Sequence, residues 1–375
     1  RKYPSRGQLN NGDMTMANPI RVVLKNSLAD GSAQWLDFVE PVDVVSACCH
    51  SEVLPSLQRI EQAVQKGLCA AGFVVYEAAP AFDPALHVNP QGSLPLLWFG
   101  LYEGMKKSAD EPDPAGISCV LPAWEASVTR DEYLGAIARI KELIAGGETY
   151  QVNYSLRLRS PFRDNAWALF RELHRAQDVS LAAFVDIGDH AICSASPELF
   201  FRLDGDRITC RPMKGTAARG LSWADDEKRA IALQQSEKNR AENIMIVDMM
   251  RNDLGRIARS GSVTVPRFFE VERYRTLFQM TSTVTASTGA SLSEIFRALF
   301  PCCSVTGAPK VRTMEIIADL EKSPRGIYTG AIGFIAPGRQ ARFSVAIRTV
   351  HVDRKAGIAE YGIGSGIVWD SESRD

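Results

Sequence analysis

The 375-residue sequence predicts an α/β protein of the α+β type, with large, mostly antiparallel sheets and flanking helices. Three observations carry that expectation. Stretches that alternate apolar and polar residues follow one another across short Gly- and Asp-containing turns, as hairpins in series do. Other segments place apolar residues every three or four positions and mark helices that pack by one face. The two kinds do not alternate strictly, so a parallel βαβ sheet is not indicated. Apolar residues make up 45% of the chain and charged residues 23%, an ordinary globular balance with material for a large core.

In chain order, residues 1–19 are basic and polar with no apolar stretch behind them. They read as a disordered leader or tag and not as a signal peptide. A strand opens at Ile20–Leu24. "VLPSLQRIEQAVQKGL" sets Val53, Leu54, Leu57, Ile60, Val64 and Leu68 on one helical face. "CAAGFVVYEAAPAFDP" is a strand running into a Pro-broken loop, and "LPLLWFGLYE" is another strand. "KKSADEPDP", 106–114, suits a surface loop. A composition shift near Glu125 marks a soft boundary between an N-terminal subdomain, 20–125, and a second part, 126–375, with sheets expected to intertwine.

The second part opens on a helix with Thr129 as N-cap, Glu132 three residues later and Gly146–Gly147 as its stop. "TYQVNYSLRLRS" alternates as a strand. The run from Leu181 to Met213 reads as three strands divided by "IGDH" and "LDGDR". "RPMKGTAARG" then forms a rigid turn around Lys214. A helical stretch in two pieces follows, from Ser222 to Ala258. Strands "SVTVPRFFEVERYR" and "LFQMTSTVTAS" come next, then helices "SLSEIFRALFP" and "APKVRTMEIIADLE". Three strands end the chain: "GIYTGAIGFIA", "ARFSVAIRTVHVD" and "AEYGIGSGIVW".

Net charge is −1, from 43 basic and 44 acidic residues, which points to neither nucleic acid nor an anionic membrane as the main partner. No apolar run approaches the ~20 residues of a membrane span. The eight cysteines, at 48, 49, 69, 119, 193, 210, 302 and 303, match neither zinc spacing nor a secreted disulfide framework. Reduced thiols in the cytoplasm are the expectation. The five histidines form no His-x-x-x-His or Ser-His-Asp pattern, so zinc and hydrolase chemistry find little support.

Each candidate motif has a structural and a functional reading. "YGIGSGIVW" has glycines, but strand residues follow where a dinucleotide site needs a helix; backbone passing close to a ligand remains open. In "SVTGAPKVRT" Lys310 reads as a first-turn helix residue with Pro309 at N1, although a tight loop with amides facing a small anion is open too. Asn239 and Glu242 are helical neighbours. Glu242 is either ion-paired to Arg240 or Arg251, or a ligand for Mg²⁺. Arg251 and Asp253 read as structural. Glu198, just after Pro197, is an exposed strand-end carboxylate or a general acid in a pocket that raises its pKa. Lys214 is a solvated loop charge or, if buried, a neutral amine nucleophile.

Taken together, "GETYQVN", "SPELF", "RPMKGT", "RAENIMIVDMMRNDLGRIA", "QMTSTV", "FPCCSVTGAPKVRTMEII", "RGIYTGAIGF", "VAIRTV" and "GIGSGIVWDS" resemble the chorismate-utilising enzyme family, in the family's order, over roughly 129–371. The resemblance implies the family's α/β fold around one active site, with 20–125 as its variable N-terminal subdomain. It implies Lys214 as nucleophile, Glu198 as general acid and Glu242 as a Mg²⁺ ligand. Tyr328 and Arg348 would hold the enolpyruvyl carboxylate with backbone at Gly364 and Gly366, and Thr216 and Gln279 would sit beside the ring.

Lysine at 214, where anthranilate synthases typically have alanine, resembles the aminodeoxychorismate synthases, component I, of folate biosynthesis. Gln151 stands where isochorismate and salicylate synthases carry a general-base lysine. Chorismate, ammonia and a separate glutamine amidotransferase subunit are the implied partners. Anthranilate synthase component I and a non-catalytic chorismate-binding relative are the alternatives. Three departures stand out: Gln279 where many members have histidine, Asn239 where an acid is common, and an ending at "WDSESRD" without the C-terminal helix that carries further glutamate ligands.

Overall fold

The structure is a computed structural model that describes residues 20–27, 33–112, 119–120 and 123–371. The expected leader, 1–19, lies outside the described residues. Two ten-stranded sheets organise the chain, and every strand pairing among the described residues is antiparallel. The first sheet runs from Gly307–Ala308 through Gln151–Pro161, Ile358–Ile367, Thr349–Asp353, His190–Ser196, Leu181–Asp186, Arg21–Ser27 and Ala33–Val39 to Lys106–Ser108. The second runs from Met213–Ala218 through Leu277–Ser287, Arg207–Arg211, Leu199–Asp204, Gln340–Val345, Ala331–Ala336, Cys69–Val74 and Leu97–Tyr102 to Asp43–Ala47. Residues before 126 therefore supply strands to both sheets.

One large core joins the layers. Val22 and Phe38 of the first sheet and Phe73, Phe99 and Phe343 of the second belong to it. So do Val53, Leu57 and Ile60, the buried stripe of the His50–Gln65 helix. That helix packs on Leu292–Leu299. At Arg130–Ala145 the helix starts as its sequence directs: Thr129 accepts from the Glu132 amide and the Glu132 side chain returns the bond, so two otherwise unpaired amides are satisfied.

Five local expectations change. The run from Leu181 to Arg211 makes four strands, because Pro197 lacks an N–H and breaks the ladder between Ser196 and Leu199. Lys106–Ser108 is an edge strand paired to Trp35–Asp37 and not part of a loop. Lys214 lies on a strand, Met213–Ala218, whose register shifts at Gly215 with φ +97°; glycine tolerates that bulge. Pro309 is the N-cap of Lys310–Leu320, one position before N1. Finally, "ARFSVAIRTVHVD" is two strands in different sheets, Gln340–Val345 and Thr349–Asp353, and the chain crosses between them at Arg348, φ +51°.

Candidate active site

A cavity of about 430 Å³ opens beside that crossing. Its walls combine the Met213–Ala218 strand, the Glu237–Gly255 helix, the turn at Ser304–Val305, Tyr328, Arg348 and the glycine-rich Ile358–Ile367 strand. The nine residues to which the resemblance gave a role all line it: Glu198, Lys214, Thr216, Glu242, Gln279, Tyr328, Arg348, Gly364 and Gly366.

Lys214 reaches across the cavity floor. Its Nζ lies 3.0 Å from where a Cβ on Gly366 would stand, and Gln151 Nε2 is 3.2 Å from the same point. The amine keeps a partly open face to the cavity and otherwise has protein around it, so burial lowers its pKa against the opposing pull of Glu198 and Glu242. The strand is held from behind: Asn243 Nδ2 donates to the Lys214 carbonyl at 3.4 Å and Ser282 Oγ donates to Asn243 Oδ1 at 2.5 Å. Gln279 Nε2 donates to the Gly215 carbonyl, and Thr216 Oγ1 donates to Gln279 Oε1, both at 3.2 Å.

Glu198 is not an exposed strand-end acid: it is 2% exposed. Burial raises its pKa to about 7, although Ser304, Lys214 and the Met213 amide favour the ionised form. Ser304 Oγ donates to Glu198 Oε1 at 2.6 Å. A carboxyl whose pKa burial raises to about 7 thus shares a cavity with an amine whose pKa burial lowers.

On the opposite wall, Tyr328 is buried with its ring 5.2 Å from the Arg157 guanidinium. Arg348 donates to Gln177 Oε1 at 3.0 Å, its guanidinium 5.8 Å from the Tyr274 ring centre. Glycine is required beneath them, since a Cβ on Gly362 would stand 2.1 Å from Tyr328 Cγ, and one on Gly364 2.5 Å from the Tyr154 carbonyl oxygen. These glycines let the Tyr328 ring and the neighbouring strand come close.

Glu242 does not pair with the arginines considered for it. Arg240 lies over the Phe269 ring at 4.6 Å, and Arg251 bonds Asp248 at 2.9 Å. Asp253, by contrast, is structural: it bonds Lys310 at 2.7 Å. Among the described residues no group of three or more His, Cys, Asp or Glu could hold a metal ion. One wall carboxylate on a polar cavity still fits Mg²⁺, which takes one or two carboxylates and completes its shell with water and substrate oxygens.

Further residues at the site lie outside those nine, and of them only Gln151 was weighed in the sequence. Gln151, Asn153, Ser155 and Arg157 alternate on one strand face and are all buried. Both polar atoms of Gln151 and the Asn153 Nδ2 have no hydrogen-bond partner, and Asn153 lines the cavity. Behind them, Glu321 bridges Arg157 at 3.1 Å and Arg325 at 2.6 Å. Arg325 in turn donates to the carbonyls of Asn153 and Val305, both at 2.7 Å, and so pins two cavity residues. The sequence carried no signal for this, because its polar–apolar alternation reads as an ordinary half-exposed strand that turns these residues to water.

A family model described as chorismate binding enzyme matches residues 17–375. The chain belongs to that family. It is 42% identical over 268 residues, 71% of its length, to an aminodeoxychorismate synthase of Streptomyces griseus, of which it covers 37%. It is 42% identical over 252 residues, 67% of its length, to aminodeoxychorismate synthase component 1 of Klebsiella aerogenes, of which it covers 55%. The chain therefore spans about half the length, or less, of these curated relatives. Among solved structures, anthranilate synthase component I from Streptococcus pneumoniae superposes with a TM-score of 0.76 at 23% identity, over 100% of this chain and 92% of that one. The fold is shared.

Proposed function

We propose that this chorismate-binding enzyme is an aminodeoxychorismate synthase component I, which converts chorismate and ammonia to 4-amino-4-deoxychorismate for folate biosynthesis. The observation that carries the reading is the convergence of Lys214 and Glu198 in one cavity, with burial pushing the amine down and the acid up. The names of the relatives at 42% identity support it.

Tyr328, Arg348 and the open backbone at Gly364 and Gly366 bind the enolpyruvyl carboxylate; the arginine fork matches a carboxylate. Neutral Lys214 adds to C2 of the ring, the double bond moves, and the C4–O bond breaks. Glu198 gives its proton to the departing oxygen, which leaves as water. Ammonia then forms the C4–N bond, the Lys214–C2 bond breaks, and the proton shed by the new amine returns to Glu198. One hard displacement becomes two allylic ones. Magnesium bound through Glu242 would hold the ring carboxylate and draw electron density from the diene. Thr216 and Gln279 border the ring. The component naming of the Klebsiella relative supports a partner subunit, and the ammonia source proposed for that role is a glutamine amidotransferase. No helix among the described residues is long and apolar enough to cross a membrane, and eight free thiols suit a reducing cytoplasm.

The test is product identification after incubation with chorismate, Mg²⁺ and ammonium. 4-Amino-4-deoxychorismate is expected, and its loss in Lys214→Ala with the fold retained. A 2-aminobenzoate product would instead make the chain an anthranilate synthase, and tight chorismate binding without turnover a non-catalytic relative.

A further inference from the structure

We propose that Ser304 is a positioning residue that decides which oxygen of Glu198 carries the proton delivered to the leaving group. The inference rests on the amination reading for its chemical meaning, but the geometry stands by itself. Ser304 lies on the Cys303–Val305 turn and is buried. Its single hydroxyl hydrogen goes to Glu198 Oε1 at 2.6 Å. An oxygen that accepts that bond is the poorer place for the carboxyl proton, so the proton sits on Oε2. One rotamer and one tautomer of the acid are thereby selected before substrate arrives.

The turn that holds Ser304 is fixed on both sides. Arg325 Nη1 donates to the Val305 carbonyl at 2.7 Å, and Thr306 Oγ1 donates to the Cys302 carbonyl at 3.3 Å. Cys302 Sγ is 3.2 Å from Ser304 Oγ. With the serine hydrogen committed to Glu198, the thiol is the donor in that contact, so the hydroxyl has a partner on each face and cannot turn away. Glu198 itself has its amide on Ser196 Oγ at 3.2 Å, which fixes the base of its side chain.

Other groups also bear on Glu198. Lys214 and the Met213 amide act from the Met213–Ala218 strand, both toward the ionised form. Glu242 of the Glu237–Gly255 helix, with Tyr328 and Arg348, faces the shared cavity, and the thiols of Cys302 and Cys303 lie behind Ser304 with pKa raised in Cys303. Among the described contacts Ser304 is the side chain that hydrogen-bonds a Glu198 carboxylate oxygen. Removal of the hydroxyl therefore has two effects with separate readouts: the ionised form loses a donor, and the protonated form loses its fixed tautomer.

The experiment titrates Glu198 in the ligand-free chain by the infrared band of its protonated carboxyl, with Glu198→Gln as the subtraction, and measures kcat and KM with ammonium. In Ser304→Ala the Glu198 midpoint rises from about 7 by roughly one pH unit or more. In the same variant kcat falls roughly 10- to 100-fold with KM for chorismate little changed. Ser304→Thr, which keeps the hydroxyl, restores both. An unmoved midpoint in Ser304→Ala, or a threonine variant that behaves like alanine, overturns the proposal. If Ser304→Ala does not fold, Ser304→Cys, a far weaker donor, reads the same shift. A shifted midpoint in a protein that aminates nothing would uphold the positioning bond and remove the amination reading.

Discussion

Burial acts in opposite directions on Glu198 and Lys214, and the opposition makes a pH prediction. Glu198 must be protonated to act as acid, and its pKa is about 7; raising the pH through 7 therefore removes the active form. Lys214 must be neutral, and burial lowers its pKa; lowering the pH protonates it and removes the active form from the other side. The kcat/KM profile for amination is a bell whose alkaline limb belongs to Glu198. In Glu198→Gln that limb disappears, and kcat drops roughly 10²- to 10⁴-fold at its optimum. An alkaline limb that survives in Glu198→Gln would assign it to another group. At this scale the sequence was informative about identity and silent about state. Lys214 could be singled out from "RPMKGT", but its lowered pKa depends on burial beside Gly366 and Gln151, against the pull of Glu198, and all three reach it from distant parts of the chain.

The Ile358–Ile367 strand shows what an element contributes beyond its residues. Its side toward the cavity carries Gly362, Gly364 and Gly366, paired in register with Arg157, Ser155 and Asn153 of Gln151–Pro161. A methyl at 366 meets only the ends of flexible side chains, at 3.0 Å from Lys214 Nζ and 3.2 Å from Gln151 Nε2. Gly366→Ala should therefore fold with a near-native melting temperature and lose roughly 100-fold in kcat, because the amine is displaced. Gly362→Ala meets the Tyr328 ring at 2.1 Å, a group packed against Arg157, and should cost about 1–3 kcal/mol of stability. Melting curves beside steady-state kinetics separate the two; wild-type kcat in Gly366→Ala would show that Lys214 does not need that space. Strands and helices were largely legible from their periods and caps. The break in "ARFSVAIRTVHVD" was not, since its alternation continues through Arg348. Only the need to pass from one sheet to the other puts a bulky residue at positive φ there, a conformation whose cost the surrounding structure must offset.

Across the whole molecule, the Arg157–Glu321–Arg325 cluster joins parts of the chain that no local pattern connects. Glu77 accepts from the Arg325 and Gly326 amides at 2.6 and 2.9 Å, so a residue of the first third anchors the turn that carries Arg325. Tyr76 stacks on the Arg325 guanidinium at 4.6 Å. From there the arginine holds Asn153 in the first sheet and Val305 beside the general acid. The soft boundary read near Glu125 marks a change in composition, whereas the contacts run through it, because ion pairs across sequence separations of this size leave no periodic trace. Glu321 is the only carboxylate within hydrogen-bond reach of both guanidiniums among the described contacts. Glu321→Ala leaves two buried positive charges without it, and breaking such a pair by removing one partner costs about 3–5 kcal/mol. For a chain of 375 residues that corresponds to a fall in Tm of roughly 4–6 °C. The loss should extend to function, since Asn153 and Val305 hang from the freed arginine: kcat should fall along with Tm, in contrast to Gly366→Ala. A melting temperature within 1 °C of the parent, on the order of the smallest shift a stability change of ~1 kcal/mol produces, would mean that water takes over the role of the carboxylate and that the cluster does not couple the first third to the site.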